Sequence, residues 1–194
     1  MSPSAGELKA EATARSTDRL LLRPLRASDE AEYVRLAEVS REAWAPWTPA
    51  IEAGVTSHQL FGRELKRAAG GAKAGTHLRL AAFDGEGVLV GQFALNEIVR
   101  GVFQSAYASW QVSADREGLG YGTEGVRALL DIAFDDSPAG LGLHRVQANI
   151  MPSNAASLRI AEKVGFRREG LALRYLRIAG RWEDHIMFAR TRDE

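Results

Sequence analysis

The sequence predicts a single domain of the α+β class, with about seven strands and about four helices. Two β-like runs, at 77–84 and 88–98, are separated by the short glycine-containing turn 85–87, which is typical of a β-hairpin. A further stretch, 107–134, changes from an extended run to a glycine-rich turn and then to apolar residues at helical spacing. Strands and helices that follow one another without a linker favour one domain.

The N-terminal half contains two predicted helices in front of the hairpin. Residues 1–16 are polar and aperiodic, so we expect a mobile tail before a single domain at 17–194. A short apolar strand at 20–25 comes next, and Ser28 is placed to cap the first helix. A second helix is predicted at about 57–69, where the glycine-rich loop GGAKAG ends it.

The C-terminal half supplies the remaining elements. The run 145–150 is predicted to be a strand, and Asn154 is placed to cap a helix directly after it. The last predicted element is a hairpin that turns at Ala179 and Gly180.

Composition excludes several classes of protein. The 194 residues are 45% apolar and 26% charged with zero net charge, so no broad basic surface for nucleic acid or for an anionic membrane is expected. The absence of cysteine excludes disulfides, thiolate metal sites and a cysteinyl acyl-enzyme intermediate, and no metal is expected. Residues 1–16 lack a signal-peptide core, and no run approaches the roughly 18 apolar residues that span a bilayer. A soluble, cytoplasmic protein is expected.

The glycine-rich turn indicates a diphosphate site. A strand, a tight turn at Gly118, Gly120 and Gly122, and a helix that opens at about Thr123 bring free backbone N–H groups to the positive end of a helix dipole. Counted from Gly120, the residues also match the dinucleotide fingerprint G-x-G-x-x-G. The next strand, however, ends without the acidic residue that this fingerprint requires. No Gly-Lys-Ser/Thr follows, which excludes a P-loop.

Counted from Glu117, the same turn reads E-G-L-G-Y-G and is similar to the Gln/Arg-x-x-Gly-x-Gly/Ala loop that binds the coenzyme A pyrophosphate in GNAT acyltransferases. Glu117 stands where the family usually has a neutral or positive residue. The segment HRVQANIMPSNAASLRIAEKVGFRREG, 144–170, resembles the strand, Asn-x-x-Ser loop and helix of that family. LNEIVRGVFQSAY, 95–107, and the final hairpin resemble the RimJ/RimL branch, which acetylates the N-termini of ribosomal proteins.

The resemblance implies a three-layer α/β/α fold with a mixed, mostly antiparallel sheet, and acetyl-CoA as the cosubstrate. It also implies that the coenzyme contacts the strand end, the glycine loop and the Asn-x-x-Ser segment. These residues are Val112, Ser113, Glu117, Gly118, Leu119, Gly120, Tyr121, Gly122, Thr123, Asn149, Asn154 and Ser157.

Acetyl transfer to an amine needs a polarised thioester carbonyl, a neutral amine and a proton for the departing thiolate. The resemblance assigns the first task to the backbone N–H of Val112 or Ser113 and the last to the hydroxyl of Ser157. Without the family match, Asn154 and Ser157 could simply cap a helix. Two further side chains, Trp44 and Trp47, either form an aromatic wall of the acceptor cleft or fill a gap between helices.

The general base is less evident in the sequence. The position that corresponds to the carboxylate of RimL-type enzymes falls near Leu176, which cannot accept a proton. Glu97, at the end of a central strand, is the candidate in its place, with a solvated strand-end charge as the alternative. The weaker candidates are His144, Asp184 and His185.

The missing carboxylate favours an α-amino acceptor. An α-amino group with a pKa of about 7.7–8.0 is roughly one third neutral at pH 7.5, whereas a lysine near 10.4 is only about 0.1% neutral. The sequence therefore favours N-acetylation of a protein N-terminus, with ribosomal proteins among the candidate acceptors. The alternatives are acetylation of a small amine, such as a polyamine, amino acid or antibiotic, and a non-catalytic coenzyme A sensor. Both a monomer and a homodimer are compatible with the sequence.

Overall fold

The computed structural model describes residues 14–194, which form eight β-strands and four α-helices. The strands are β1 (Arg15–Ser16), β2 (Leu21–Arg23), β3 (Leu78–Phe83), β4 (Leu89–Val99), β5 (Ser105–Val112), β6 (Arg145–Ile150), β7 (Arg167–Ile178) and β8 (Arg181–Thr191). The helices are α1 (Glu30–Trp44), α2 (Ser57–Ala74), α3 (Tyr121–Phe134) and α4 (Ala155–Lys163).

The predicted α+β class is confirmed, with one strand more than expected. Most of the predicted tail at 1–16, namely residues 1–13, lies outside the described residues. Its last two residues form the additional strand, because Arg15 pairs with Leu22 and Ser16 pairs with Leu21.

All eight strands belong to one sheet in the order β1-β2-β3-β4-β5-β6-β8-β7. Neighbouring strands are antiparallel except β5 and β6, which are parallel. A parallel pair needs a crossover connection, which α3 provides. The β5–β6 ladder joins only Ser105–Tyr107 to Arg145–Gln147, so the two strands separate toward their C-terminal ends. This separation opens a gap in the middle of the sheet.

One face of the sheet packs against α3 and α4. Phe93 and Leu95 of β4 and Val146 of β6 form a continuous core with Val126 and Leu129 of α3, and each of these side chains is at most 1% exposed. Burial of such a side chain contributes about 2 kcal/mol to folding. The other face packs against α1 and α2 through a smaller core. None of the helices within residues 14–194 is long and apolar enough to cross a membrane.

The first helix does not use Ser28 as its N-cap. A short 3₁₀ turn occupies 27–29, and Asp29 takes the N-cap position of α1. The Asp29 carboxylate accepts the backbone N–H of Arg26 at 2.7 Å and forms a two-pronged ion pair with Arg23 at 2.7 and 2.8 Å. Burial raises the pKa of Asp29, but these hydrogen bonds outweigh it and the pKa is lowered. The ion pair with Arg23 and the bond from Arg26 thus hold Asp29 at the start of the helix.

The second helix continues past the predicted loop GGAKAG. Helix α2 includes Gly70 and Gly71 and ends only at Gly75, which has a φ of 68°. A Cβ on Gly71 would lie 2.7 Å from the Cβ of His77, so glycine permits the close approach of the chain that enters β3. The predicted loop is wrong because tertiary packing outweighs the low helix propensity of glycine.

Candidate active site

A cavity of about 840 Å³ lies where β5 and β6 separate. We call the part formed by residues 116–123 and 154–163 the loop half. The other part, the sheet half, is formed by side chains of β3 to β8 on the face toward α1 and α2, by α2 and by residues 44–49. The two halves meet at the gap in the sheet.

The glycine loop leaves the N-terminus of α3 open to the loop half. Gly118 and Gly120 have φ values of 76° and 88°, a conformation that favours glycine. Gly120 occupies the N-cap position of α3 and offers no side chain to bond the N–H groups of the first turn. Such an uncapped N-terminus combines free donors with the positive end of the helix dipole, so it suits a phosphate.

Two further glycines of α3 have a packing role. A Cβ on Gly122 would lie 2.6 Å from Cδ1 of Ile160 on α4, and a Cβ on Gly125 would lie within 2.1 Å of the Phe93 ring. These glycines let α3 lie close to α4 and to the sheet. The match of Gly120, Gly122 and Gly125 to the dinucleotide fingerprint therefore reflects the turn and helix packing.

Arg19, which lies 100 residues before Leu119 in the chain, contacts the glycine loop and stabilises its shape. Its guanidinium donates to the carbonyl of Leu119 at 2.9 Å, pairs with Glu124 at 2.6 Å and lies 4.8 Å from the centre of the Tyr121 ring. Burial raises the pKa of Glu124, but hydrogen bonds from Thr17 and Arg19 outweigh it and lower the pKa. The side chain of Leu119, predicted to contact the coenzyme, is instead 51% exposed and does not line the cavity.

Charge in the loop half favours an anion despite Glu117. The exposed Glu117 lines this half together with three cations, Arg116, Arg159 and Lys163. The Nε of Arg116 and the Nε1 of Trp110 are buried and have no hydrogen-bond partner among the described residues, and both residues line the cavity. Buried donors without a partner indicate a missing acceptor, such as a phosphate or an amide carbonyl. The residues present therefore fit a large, phosphate-bearing ligand.

The N-terminus of α4 also faces the cavity. Asn154 is the N-cap, as the sequence predicts, and its Oδ1 accepts the backbone N–H of Ser157 at 3.1 Å. The half-buried Ser157 and Asn154 both line the cavity, one helical turn from Ile160. Asn154 and Ser157 therefore form the helix cap and also line the cavity.

Of the two predicted backbone donors at the end of β5, one is already engaged. The N–H of Ser113 donates to the carbonyl of Val90 at 2.8 Å, and Ser113 is buried outside the cavity, so it cannot serve the thioester. The next pair along the ladder, Gly91 with Val112, is a non-hydrogen-bonded pair. In such a pair the N–H group of each residue points away from the partner strand. The N–H of Val112 is therefore directed toward the gap between β5 and β6.

The two tryptophans lie at one end of the sheet half. Trp44 is half-buried, and its Nε1 donates to the carbonyl of Val112 at 2.9 Å. Trp47 is 36% exposed and lines the cavity near Leu176 of β7. The tip of the β7–β8 hairpin is bonded to this segment, because the N–H of Ala179 donates to the carbonyl of Thr48 at 3.1 Å. Trp44 thus packs against the smaller core and lines the cavity, and its contact with an acceptor stays a prediction.

Polar side chains cover the floor of the sheet half. Asn96 of β4 donates to the hydroxyl of Ser109 on β5 at 2.9 Å. On β6, Asn149 accepts from Gln147 at 2.9 Å, and its amide lies 3.4 Å from the hydroxyl of Tyr175. Asn149 thus faces the sheet half, whereas the resemblance places it among the coenzyme contacts.

The backbone of Glu97 lies far along β4 from the level of Val112. It lines the cavity from a bulge in β4 and has a φ of 49°, but it follows the pair Asn96–Tyr107. The pair Gly91–Val112 lies five residues away along β4, from 91 to 96, which is about 17 Å at 3.4 Å per residue. Direct proton transfer needs hydrogen-bond reach or one bridging water. If Val112 binds the thioester, this spacing disfavours Glu97 as the base, and the assignment stays a prediction.

The three weaker candidates for the base lie in different surroundings in the structure. His144 is exposed at the start of β6 and does not line the cavity. The carboxylate of Asp184 accepts the backbone N–H of Arg174 at 2.8 Å. His185 is 3% exposed and lines the sheet half. The sequence gives His185 little weight because nothing near it in the chain shows which side chains surround it.

An open helix N-terminus beside a gap between two parallel strands can hold a phosphate-bearing ligand with an arm that enters the sheet. The acetyltransferase (GNAT) domain model matches residues 19–167. The chain therefore belongs to the GNAT acetyltransferase family, and it is an N-acetyltransferase. Its mixed eight-stranded sheet with four helices is the fold of that family.

Comparison with known proteins shows which branch of the GNAT family this chain resembles. The chain is 28% identical over 177 residues to [ribosomal protein uS5]-alanine N-acetyltransferase of Escherichia coli (strain K12), a match that covers 91% of this chain and 89% of that protein. It is 41% identical over 101 residues to the probable N-acetyltransferase YjcK of Bacillus subtilis (strain 168), a match that spans 52% of this chain and 54% of that protein. The structure of Mycobacterium smegmatis RimJ in complex with CoA-disulfide has a TM-score of 0.81 and 29% identity, and covers 90% of this chain and 82% of that one. The predicted resemblance to the RimJ/RimL branch is confirmed.

Proposed function

We propose that this N-acetyltransferase uses acetyl-CoA and transfers the acetyl group to the N-terminal amine of a protein, with a ribosomal protein as the first candidate. Similarity over nearly the whole chain to an enzyme named for the alanine of ribosomal protein uS5 supports the acceptor class. The CoA-disulfide complex of RimJ, together with the uncapped α3 and the cations of the loop half, supports the coenzyme.

The observation that carries the choice of acceptor is the balanced charge of the sheet half. Its lining carboxylates are Glu64 and Glu97, and its lining guanidiniums are Arg67 and Arg79. Glu64 is also paired with Arg79. Burial, with the nearby charges of Arg67 and Arg79, lowers the pKa of His77, so this imidazole is neutral at pH 7.

A small acceptor with several positive charges, such as a polyamine or an aminoglycoside, needs several carboxylates to bind. The sheet half offers an equal number of cations instead. A peptide N-terminus carries one amine followed by neutral amides, and these match the polar floor formed by Asn96, Ser109 and Asn149. The charge balance therefore favours a peptide over a polycation.

The residues of the chain divide the chemistry between them. Acetyl-CoA supplies an acetyl group activated as a thioester. The N–H groups at the start of α3, with Arg116 and Lys163, bind its phosphates. The N–H of Val112 donates to the thioester carbonyl oxygen, and the hydroxyl of Ser157 gives a proton to the departing sulfur. The chain contains no cysteine that could form an acyl-enzyme, which supports direct transfer in a ternary complex.

The acceptor is tested by the release of coenzyme A thiol in the presence of three sets of amines. These are peptides with a free N-terminal Ala or Ser, the same peptides blocked at the N-terminus but containing lysine, and a panel of small amines. We expect kcat/KM to be at least about tenfold higher for the free N-termini. A preference for polyamines, aminoglycosides or lysine side chains would contradict the proposal, as would tight acetyl-CoA binding without any turnover.

A further inference from the structure

His185 occupies the end of the cavity at which the two halves meet. The ladder between β6 and β8 pairs Ile150 with Ile186, so His185 lies one residue beyond the end of β6, beside Met151. Met151 also lines the cavity, and it directly precedes the loop that leads to Asn154 and Ser157. Side chains alternate along β8, and Ile186 belongs to the core on the α3 side. His185 therefore faces the sheet half.

The tautomer of His185 follows from one hydrogen bond. Its Nδ1 lies 3.0 Å from the backbone carbonyl of Glu183. A carbonyl oxygen can only accept, so Nδ1 carries the hydrogen, and in the neutral form of the ring the lone pair is then on Nε2. The ring is fixed further by an edge contact with Tyr175, with 5.9 Å between ring centres. Nε2 makes no hydrogen bond within the part of the chain that the structure describes.

The groups around His185 do not supply a competing base. Burial raises the pKa of Tyr175, and the nearby Tyr107 and Glu97 raise it further, so this phenol stays protonated at neutral pH. Glu183 precedes it on β8 and lies 3.5 Å from Arg181. Glu97 acts on Tyr175 from the Tyr107 side of the sheet half, and its backbone follows a strand pair that is about 17 Å along β4 from the level of Val112.

We propose that Nε2 of His185 is the general base that accepts the proton of the acceptor amine. The amine nitrogen forms a bond to the thioester carbonyl carbon, and Nε2 takes the proton that the nitrogen loses. The carbon–sulfur bond breaks, and the thiolate leaves with the proton from Ser157. The imidazolium then returns its proton through solvent to the serine oxygen, so that the amide and a neutral thiol are the products. The proposal rests on acetyl transfer by the chain and is independent of which amine is the acceptor.

His185→Asn is the variant that separates catalysis from structure. The asparagine amide can still donate to the carbonyl of Glu183, but it cannot accept a proton. With the amine that the wild-type protein uses fastest, we expect kcat to fall by about 100-fold, the order of magnitude that general-base catalysis contributes. The acetyl-CoA dissociation constant and the melting temperature should stay close to wild type. His144→Asn, the same change at an exposed site outside the cavity, is the matched control and should keep full activity.

Chemical rescue tests the proton transfer itself. In His185→Gly the cavity is open to added imidazoles, and we expect turnover to rise with their concentration and with their basicity. A purely structural role would not produce this dependence on basicity. Long-range proton–nitrogen NMR correlations of the wild-type protein supply a readout that does not depend on turnover, and they should show His185 protonated at Nδ1 with Nε2 bare.

Three results would overturn the proposal. The first is a kcat for His185→Asn within about threefold of wild type. The second is a rescued turnover of His185→Gly that does not depend on the basicity of the added imidazole. The third is an NMR spectrum with the proton on Nε2. If His185→Gly does not fold, the asparagine variant and the NMR measurement still decide. Since the assay uses the fastest acceptor of any class, a wrong acceptor assignment leaves this test intact.

Discussion

The two halves of the cavity are built by different means. The loop half is made mainly of backbone: two glycines with positive φ, an uncapped helix N-terminus and a capping asparagine, all within short segments of the chain. The sheet half is made of side chains from α2, the tryptophan segment and six strands. Under the proposed function the loop half binds the coenzyme, which stays the same, whereas the sheet half is free to vary with the acceptor.

Ser157 belongs to the loop half and is the proposed proton donor to sulfur, so its replacement should have a larger effect than the changes at Gly120 and Trp47. Ser157→Ala removes the proposed proton donor to sulfur, so we expect kcat to fall by about 100-fold. The acetyl-CoA dissociation constant should change little, because the hydroxyl matters mainly when sulfur gains charge. Stopped-time thiol assays and calorimetry measure the two quantities. Ser153→Ala, in the exposed loop before α4, is the control.

A loss of acetyl-CoA affinity with an unchanged kcat in Ser157→Ala would place Ser157 among the binding contacts alone. The role of proton donor to sulfur would then have to belong to another group.

Gly120→Ala tests the claim that backbone geometry builds the loop half. An alanine at a φ of 88° is strained by about 1–2 kcal/mol, so we expect the free loop to relax out of this conformation. Restoring the conformation on binding then raises the acetyl-CoA dissociation constant by about tenfold. The matched control is Gly87→Ala, which has a φ of 80° in the β3–β4 hairpin and no atom within 4 Å of its Cβ. We expect this control to lower the melting temperature without changing the dissociation constant. Equal affinities in both variants would contradict the assignment.

Trp47→Ala tests the sheet half in isolation. The side chain lines the cavity at the acceptor end, so we expect the KM for the acceptor to rise by about fivefold, equivalent to about 1 kcal/mol of lost contact, while the KM for acetyl-CoA is retained. Trp182→Ala, on the β7–β8 hairpin, where the side chain is 63% exposed and outside the cavity, is the control. A rise in the KM for acetyl-CoA would show that the tryptophan segment belongs to both halves.

The smallest effect is expected outside both halves, at the ion pair of Glu169 with Arg145. The guanidinium of Arg145, with that of Arg167, lowers the pKa of Glu169 to about 2, against about 4.3 for a free glutamate. A lowered pKa means that the stabilisation is complete above about pH 5 and disappears as the pH falls toward about 2. The pair is partly solvated, so it contributes at most about 1 kcal/mol.

Urea unfolding at pH 7 and pH 3 measures this contribution. Glu169→Gln should lose less stability than the wild type over that interval, while kcat and both KM values at pH 7 stay unchanged. An equal pH dependence in the two proteins would exclude the ion pair as the cause.

The same contrast explains how far the sequence can predict the structure. Asn154 as an N-cap, the turn at Ala179–Gly180 and the strand β6 at Arg145–Ile150 are predictable because their signals lie within a few residues. The contact of Arg19 with the carbonyl of Leu119 joins residues 100 positions apart, and nothing in the local sequence indicates it. The end of α2 differs from prediction for a related reason, because the close approach of Gly71 to His77 is a packing contact that helix propensity does not indicate.

The sheet half is the harder region to predict. The sequence favours Glu97 as the base because it ends a central strand, but only the strand register shows that it lies five residues from the level of Val112. The sequence gives His185 little weight because its environment depends on β6 and β7, which precede it along the chain. Strand order and register are therefore needed to assign a site that is built from side chains.

The most direct test of the account is a binding measurement with two bisubstrate conjugates. In one, coenzyme A is joined through the acetyl carbon to the N-terminal amine of an alanine peptide, and in the other to a lysine side chain of the same peptide. If the loop half binds the coenzyme and the sheet half binds a protein N-terminus, the first conjugate should bind at least about 100-fold more tightly than acetyl-CoA, and the second should gain much less. Equal dissociation constants for the two conjugates would contradict the assignment of the sheet half to an N-terminal amine.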